Sequence, residues 1–267
     1  MESANPLISV IMPLYNAAGF VEQAVYSVLN QTFSDLELII VDDAGNDGSY
    51  ELVSAMALRD SRIRLLKHDR NRGVAAARNT AIAAARGRYL AFLDSDDLWK
   101  EDRLSRQFDL IKNFEAEGKS LPFIFSSCEV IGSGRETAGP ERHVPEKVDY
   151  DKLLHGNFIP CLTVLVDRMA FPEELLFMPE VHHEDYACWL RLLKYMKQNP
   201  GKTAEYAFGI DEILASYRTG TASASSNKFR TISWQWKILR GQEKLNIFKS
   251  FWYIICYSFN AVRKRVG

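Results

Sequence analysis

Hydrophobic and polar positions in the first hundred residues follow two rhythms. "LISVIM" (7–12), "LELIIV" (36–41), the shorter "IRLLK" (63–67) and "RYLAFL" (88–93) are apolar runs of the length of a buried strand. Between them, "FVEQAVYSVLNQ", "SYELVSAMALRD" and the Ala-rich "VAAARNTAIAAAR" carry apolar residues at helical spacing. Strand and helix in alternation predict an α/β fold, a mainly parallel sheet with helices on its faces. In such sheets ligands bind beyond the carboxyl ends of the strands.

The second half is less regular. "FIFSSCEVIG" and "CLTVLVDR" read as strands, and "GSGRETAGPERHVPEK" between them is a loop rich in Gly, Pro and charge. "EDYACWLRLL" is an amphipathic helix opening on two acids, which suit the positive end of a helix dipole. From Lys228 the chain reads as helix, with Leu245, Phe248, Trp252, Ile255, Phe259 and Val262 in one stripe. That stripe is far short of the ~20 apolar residues of a membrane span. It fits either a helix lying on an anionic membrane or one packed on protein.

Composition narrows the class. At 267 residues, 47% hydrophobic and 25% charged, the chain is long enough for a sizeable core. Its net charge of −1 hides an asymmetry: residues 228–267 hold nine basic residues against Glu243 alone, a local +8 that leaves −9 elsewhere. Those basic residues are interleaved with apolar ones, which suits lipid better than a nucleic-acid groove. The opening "MESANPLISVIMPLYN" lacks the basic start of an export signal, so the expected location is the cytoplasm. Cys128, Cys161, Cys188 and Cys256 are widely spaced, which argues for reduced thiols over a zinc site or a disulfide framework.

Three polar clusters follow predicted strands: Pro13-Leu14-Tyr15-Asn16, then "DDAGNDGS" (42–49), then Asp94-Ser95-Asp96-Asp97. Asp, Asn and Gly form turns, so any one cluster has a structural explanation. Three at one rim favour a shared site. Neither G-x-G-x-x-G nor G-x-x-x-x-G-K-[ST] occurs, so no glycine-rich phosphate cradle is present. A divalent cation can hold a diphosphate against carboxylates, and Asp94 and Asp96, two apart, face the same way if their loop is extended. Asp97 reads as a cap for a helix beginning near Lys100.

"ISVIMPLYN", "QTFSDLELIIVDDAGNDGS", "RNRGVAAARNTAIAAARGRYLAFLDSDD" and "HHEDYACWLRL" together resemble glycosyltransferase family 2, the inverting nucleotide-sugar transferases of GT-A fold. The resemblance is strong over 6–105 and weaker to about 218. It implies a nucleotide-sugar-binding half (1–110), an acceptor-binding half of the same domain (111–218) and a basic helical tail (219–267). The implied reaction moves a hexosyl or N-acetylhexosaminyl group from a UDP-sugar to a lipid-linked glycan of a bacterial surface polysaccharide (O-antigen, capsule or teichuronic-acid-like). Mn²⁺ or Mg²⁺ is the implied cofactor, and the cytoplasmic membrane surface a partner through the tail. A non-catalytic nucleotide- or glycan-binding subunit is the alternative.

The resemblance also implies residue roles. Pro13, Tyr15 and Asn16 pack on the base; Asp43 accepts a hydrogen bond from uracil, with Asp42 alongside. Gly73 and Arg78 lie near the nucleotide or the strand-end carboxylates. Asp94 and Ser95 face the ribose and sugar, and Asp96 coordinates the metal. Asp185 is the catalytic base, with His182, His183 and Glu184 beside it, and Glu184 and Arg218 serve the acceptor or close over the donor.

Overall fold

The structure, a computed structural model, describes residues 5–132, 139–201, 204–219 and 228–266. The four predicted strands form as β1 (Ile8–Leu14), β2 (Leu36–Asp42), β3 (Ile63–Lys67) and β4 (Tyr89–Phe92), and the three helices between them as α1 (Val21–Leu29), α2 (Ser49–Ala57) and α3 (Val74–Ala84). β5 (Leu98–Trp99), α4 (Arg103–Ala116), β6 (Phe123–Gly132), β7 (Glu141–Arg142), β8 (Lys147–Val148), α5 (Tyr150–Leu154) and β9 (Leu165–Asp167) follow. α6 (Glu184–Gln198), β10 (Ala207–Thr219), α7 (Lys228–Lys237) and α8 (Ile247–Val266) complete the chain.

One sheet, in the order β3-β2-β1-β4-β9-β6-β10-β5, joins both halves. β1 to β4 are parallel, and β6 and β10 run the same way because β9 is antiparallel to both β4 and β6. The short strands β5, β7, β8 and β9 run opposite. The carboxyl ends of the six long strands therefore share one rim.

β1, β2 and β4 are buried on both faces, which explains their continuous apolar runs, whereas β3, at the edge of the sheet, is only partly buried. Ile8, Val10 and Met12 pack into one core cluster with α1, while Ile11, Ile39 and Val41 pack into the other with α3 and α6. Trp189 of α6 anchors the second layer, edge-on to Phe92 and Phe123 with centroids 5.4 and 5.2 Å away. All four cysteines are free thiols.

Three local expectations change. "CLTVLVDR" opens with a 3₁₀ turn at Cys161–Thr163, so only Leu165–Asp167 pairs as a strand. The glycine- and proline-rich loop contributes β7 and β8, its residues 133–138 lying outside the described set. The tail is two helices, separated by a π-helical turn at Ile238–Gln242 and by Lys244 at φ 52°.

Candidate functional site

Loops leaving the shared rim line a pocket bounded by Pro13, Leu14, Tyr15, Asp43, Asn71, Gly73, Val74, Ala77, Asp94, Ser95 and Asp96. It encloses about 600 Å³ counting its open mouth, within the range of small-ligand sites. Tyr15, 51% exposed, offers an open ring at the mouth. Of the residues expected on the donor side, Pro13, Tyr15, Asp43, Gly73, Asp94, Ser95 and Asp96 line this pocket, and Arg78 pairs with one of its carboxylates.

Asn16 and Asp42 do not line it. The Asn16 side-chain oxygen accepts the Asn46 N–H at 2.9 Å, tying the loop after β1 to the loop after β2. Asp42 is fully buried; one oxygen accepts the Gly45 N–H at 3.2 Å and the other lies 3.7 Å from Lys67 Nζ. Both residues shape the rim from outside the pocket. Gly45 is required there, since a Cβ would stand 3.0 Å from the Asn16 backbone nitrogen. Asp47 fastens the same loops by accepting from Ala18 N at 2.8 Å and Ser49 N at 3.0 Å.

Asp43 is the most constrained acid of the pocket. It is 3% exposed, and it accepts from Arg72 N at 2.8 Å, Gly73 N at 2.7 Å and His68 Nδ1 at 2.7 Å. Gly73 presents its N–H from φ 90°, a conformation open to glycine at little cost. His68, one residue past β3, escaped the sequence reading; its position on the rim was the available signal.

The Asp94–Asp97 segment is a turn, closed by Asp97 N–H donating to Asp94 O at 3.1 Å, rather than extended chain. Asp94 and Asp96 both line the pocket from this turn. Burial and the Asp94 charge push the Asp96 carboxyl up to about 6. Asp97 caps no helix: it is buried and accepts the Arg218 N–H at 2.7 Å, and α4 starts only at Arg103. Burial, then the charges of Asp94 and Asp96, raise its carboxyl well above the usual range.

Arg218, expected to serve the acceptor or to close over the donor, lies against the same acidic turn. β10 ends beside this turn, so Arg218 donates from Nε to Asp96 O at 2.8 Å and from Nη2 to Gln23 Oε1 at 3.0 Å, over the Phe20 ring. It is 6% exposed and holds the acidic turn from beneath.

A divalent cation suits this donor set. Asp94 is answered by Arg78 and Asp97 by the Arg218 backbone; among the described residues no salt bridge is made by the Asp96 side chain, which feels the Arg218 charge more weakly than its burial and the Asp94 charge. Among those residues no three His, Cys, Asp or Glu side chains form a cage. Asp96 is the hard-oxygen ligand the protein would supply, with phosphate oxygens and water completing the shell.

The pocket meets α6 at Arg78. This guanidinium, 3% exposed, donates to Asp94 Oδ1 at 2.5 Å and Glu184 Oε1 at 2.5 Å, bridging the acidic turn to the first residue of α6. Asp185 follows. Burial, then the Glu184 charge, push its carboxyl up to about 7. A carboxyl near that value can accept a proton at neutral pH.

α6 is entered through His183 at φ 60°, an uncommon conformation for a residue with a side chain. His182 stacks on Trp234 of α7 with centroids 4.2 Å apart, and His183 meets the same ring edge-on at 5.3 Å. Gln235 of α7 donates to the Tyr186 hydroxyl at 2.7 Å. From α8, Tyr257 lies near enough for the Asp185 charge to add to the burial that raises its phenol. The tail thus lies against the start of α6, a placement of Trp234 and Tyr257 that no sequence spacing signalled.

Residues 9–164 match the family model for glycosyl transferase family 2. The chain is 38% identical over 267 residues, all of both chains, to the putative teichuronic acid biosynthesis glycosyltransferase TuaG of Bacillus subtilis. It is 36% identical over 259 residues, 97% of this chain and 94% of the other, to WfgD of Escherichia coli, a UDP-Glc:alpha-D-GlcNAc-diphosphoundecaprenol beta-1,3-glucosyltransferase. Among solved structures, S. aureus TarS 1-349 in complex with UDP-GlcNAc superposes with a TM-score of 0.67 at 17% identity, over 93% of this chain and 70% of that one. The mannosyltransferase PcManGT of Pyrobaculum calidifontis, in complex with GDP-Man and Mn²⁺, gives 0.64 at 18%, over 91% and 66%. The fold is that of the GT-A transferases, and the chain, a glycosyltransferase, belongs to glycosyl transferase family 2.

Proposed function

We propose that this enzyme moves a hexosyl or N-acetylhexosaminyl group from a UDP-sugar to a hydroxyl of a lipid-linked glycan, with inversion, in bacterial surface-polysaccharide synthesis. The observation that carries the reading is the Arg78 bridge. It ties Asp94 of the pocket to Glu184, which brings the neighbouring candidate base Asp185 within electrostatic reach of Asp94. WfgD, a relative of nearly equal length, names the donor and acceptor classes.

In the proposed reaction residues 1–110 hold the donor and 111–218 the acceptor. Asp185 takes the proton as the acceptor oxygen bonds to the anomeric carbon, and the bond from that carbon to the diphosphate breaks, its electron pair leaving with UDP. A divalent cation, Mn²⁺ or Mg²⁺, supplies positive charge for the departing diphosphate. Asp96 would hold that cation, Asp94 and Ser95 line the sugar end, Asp43 meets the base, and Tyr15 stacks on it.

Thermal unfolding with UDP and Mn²⁺, Mg²⁺ or chelator tests the donor half. Nucleotide at 100 times its dissociation constant stabilises by about 2.7 kcal/mol, a rise of at least roughly 5 °C for a chain of this size. The rise should require metal in the wild type and disappear in Asp96→Ala. An equal rise in chelator would remove the metal from the proposal.

We place the enzyme peripherally on the inner face of the cytoplasmic membrane. Among the described residues no helix is long and apolar enough to cross a membrane. On α8, Phe248, Phe251, Trp252 and Ile255 are 84, 62, 59 and 48% exposed at helical spacing, while Tyr253 and Ile254 pack on the core. This outer stripe lies on a tail of net charge +8, the pairing that seats a helix in an anionic interface. Co-sedimentation with phosphatidylglycerol-containing vesicles should exceed that with phosphatidylcholine alone. Phe248→Glu with Trp252→Glu should weaken it at least about tenfold, given ~1.5–3 kcal/mol per buried apolar side chain. Unchanged binding of the double variant would exclude this face as the seat.

A further inference from the structure

His68 takes no part in the proposed transfer, yet it is a 6% exposed polar side chain placed directly behind the donor pocket. Its Nδ1 lies 2.7 Å from Asp43 Oδ1 and its Nε2 lies 2.9 Å from Thr80 Oγ1, so the ring spans from the rim loop to α3. A carboxylate only accepts, which assigns the Nδ1 proton to His68.

The acceptor positions of Asp43 can be counted. Oδ1 receives His68 Nδ1–H and the Arg72 N–H, which fills it; Oδ2 receives the Gly73 N–H and retains one position. Asp43 lines the pocket, so that remaining position is available to a ligand there. A group held this way accepts from a base carrying a ring N–H, as uracil does, and meets the bare ring nitrogen of cytosine with unfavourable lone-pair contact. Discrimination of this kind depends on the orientation of the carboxylate, because a misplaced acceptor loses the bond without rejecting the wrong base.

We propose that His68, braced by Thr80, is a positioning residue for nucleobase recognition: it fixes the Asp43 carboxylate so that its free acceptor position faces a ring N–H of the donor base. The inference rests on the UDP-sugar reading above. Arg72 and Gly73 donate through their backbone from the α3 end of the loop between β3 and α3; His68 donates through its side chain from the β3 end of that loop, and its other ring nitrogen is tied to Thr80 of α3. Without it the carboxylate can turn about its Cβ–Cγ bond while keeping one amide contact. Thr80 holds the imidazole plane by its other nitrogen.

The test compares affinities for UDP and CDP, each with Mn²⁺, in the wild type, His68→Leu, His68→Asn and Thr80→Val. Asparagine can place an amide N–H near the Nδ1 position but cannot reach Thr80. The wild type should prefer UDP, and His68→Leu should compress the UDP-to-CDP ratio about tenfold, the worth of one hydrogen bond to a charged group. His68→Asn should recover most of the ratio, and Thr80→Val should lose a smaller part of it. A merely structural His68 would lower the melting temperature and leave the ratio intact; that result in His68→Leu overturns the inference while the donor reading stands. A wild type with no preference for UDP over CDP overturns both. Should His68→Leu fail to fold, the ratio in His68→Asn and Thr80→Val decides, and wild-type ratios in both sink the proposal.

Discussion

Asp185→Asn is expected to lower the transfer rate by about 10² to 10⁴, the usual contribution of a positioned general base, while leaving the UDP-dependent thermal shift in place. The wild-type rate should rise with pH through about 7 and level off above it, because only the ionised Asp185 can take the acceptor proton. Glu184→Gln should move that inflection to lower pH. It removes the charge that, after burial, does most to raise Asp185, and it leaves Arg78 to attract the ionised form. Stability carries the opposite sign. A carboxyl raised in the folded state favours folding when protonated, so its contribution is full below the unfolded value of about 3.9 and is lost as pH rises through about 7. Above pH 7, Asp185→Asn should therefore melt higher than the wild type although it transfers far less. Near-native transfer by this variant would remove Asp185 as the base.

Arg78→Met should have the largest effect on the fold. The wild-type guanidinium is buried between Asp94 and Glu184, and its removal leaves carboxylates facing one another without their cation. Breaking a buried pair costs about 3–5 kcal/mol, and the lower end applies here because the Asp94 side chain keeps 35% of its exposure. At ~2–4 °C per kcal/mol for a chain of this size, the melting temperature should fall by roughly 6–12 °C. Arg78→Lys should fall between, since one ammonium cannot fork to two carboxylates as a guanidinium does. Loss of this cation also raises Asp185 further, so residual activity should shift to higher pH. A melting temperature within about 1 °C of wild type would contradict the bridge.

Much of the donor half was legible because its signals are local. A strand buried on both faces needs a continuous apolar run, and β1, β2 and β4 appear where such runs occur, with the shorter β3 at the sheet edge. Parallel strands bring their carboxyl ends to one rim, so the sequence alone groups Tyr15, Asp43 and Asp94. The roles of Asp97 and Arg218 were not legible. Asp97 lies two residues before a polar run, the usual place of a helix cap, but its carboxylate is bonded to a backbone N–H 121 residues away. Arg218 reaches the same turn only because β10 returns beside β5 and β6. Asn16 and Asp42 match the family motifs in sequence, yet their side chains fasten loops outside the pocket, since a motif fixes a residue's position and not its rotamer.

The chain by itself determined the α/β class, the acidic rim, the membership of family 2 and a basic tail with an apolar stripe, because periodicity, loop chemistry and charge are properties of neighbouring residues. Tertiary structure decided what depends on distant ones: that Arg78 joins Asp94 to Glu184, that His68 stands behind Asp43, and that Trp234 of the tail packs on His182 and His183 at the start of α6. Each of these contacts links elements far apart in the chain, and the value of a buried charge depends on which partners packing brings within a few ångströms. No spacing within one segment encodes that.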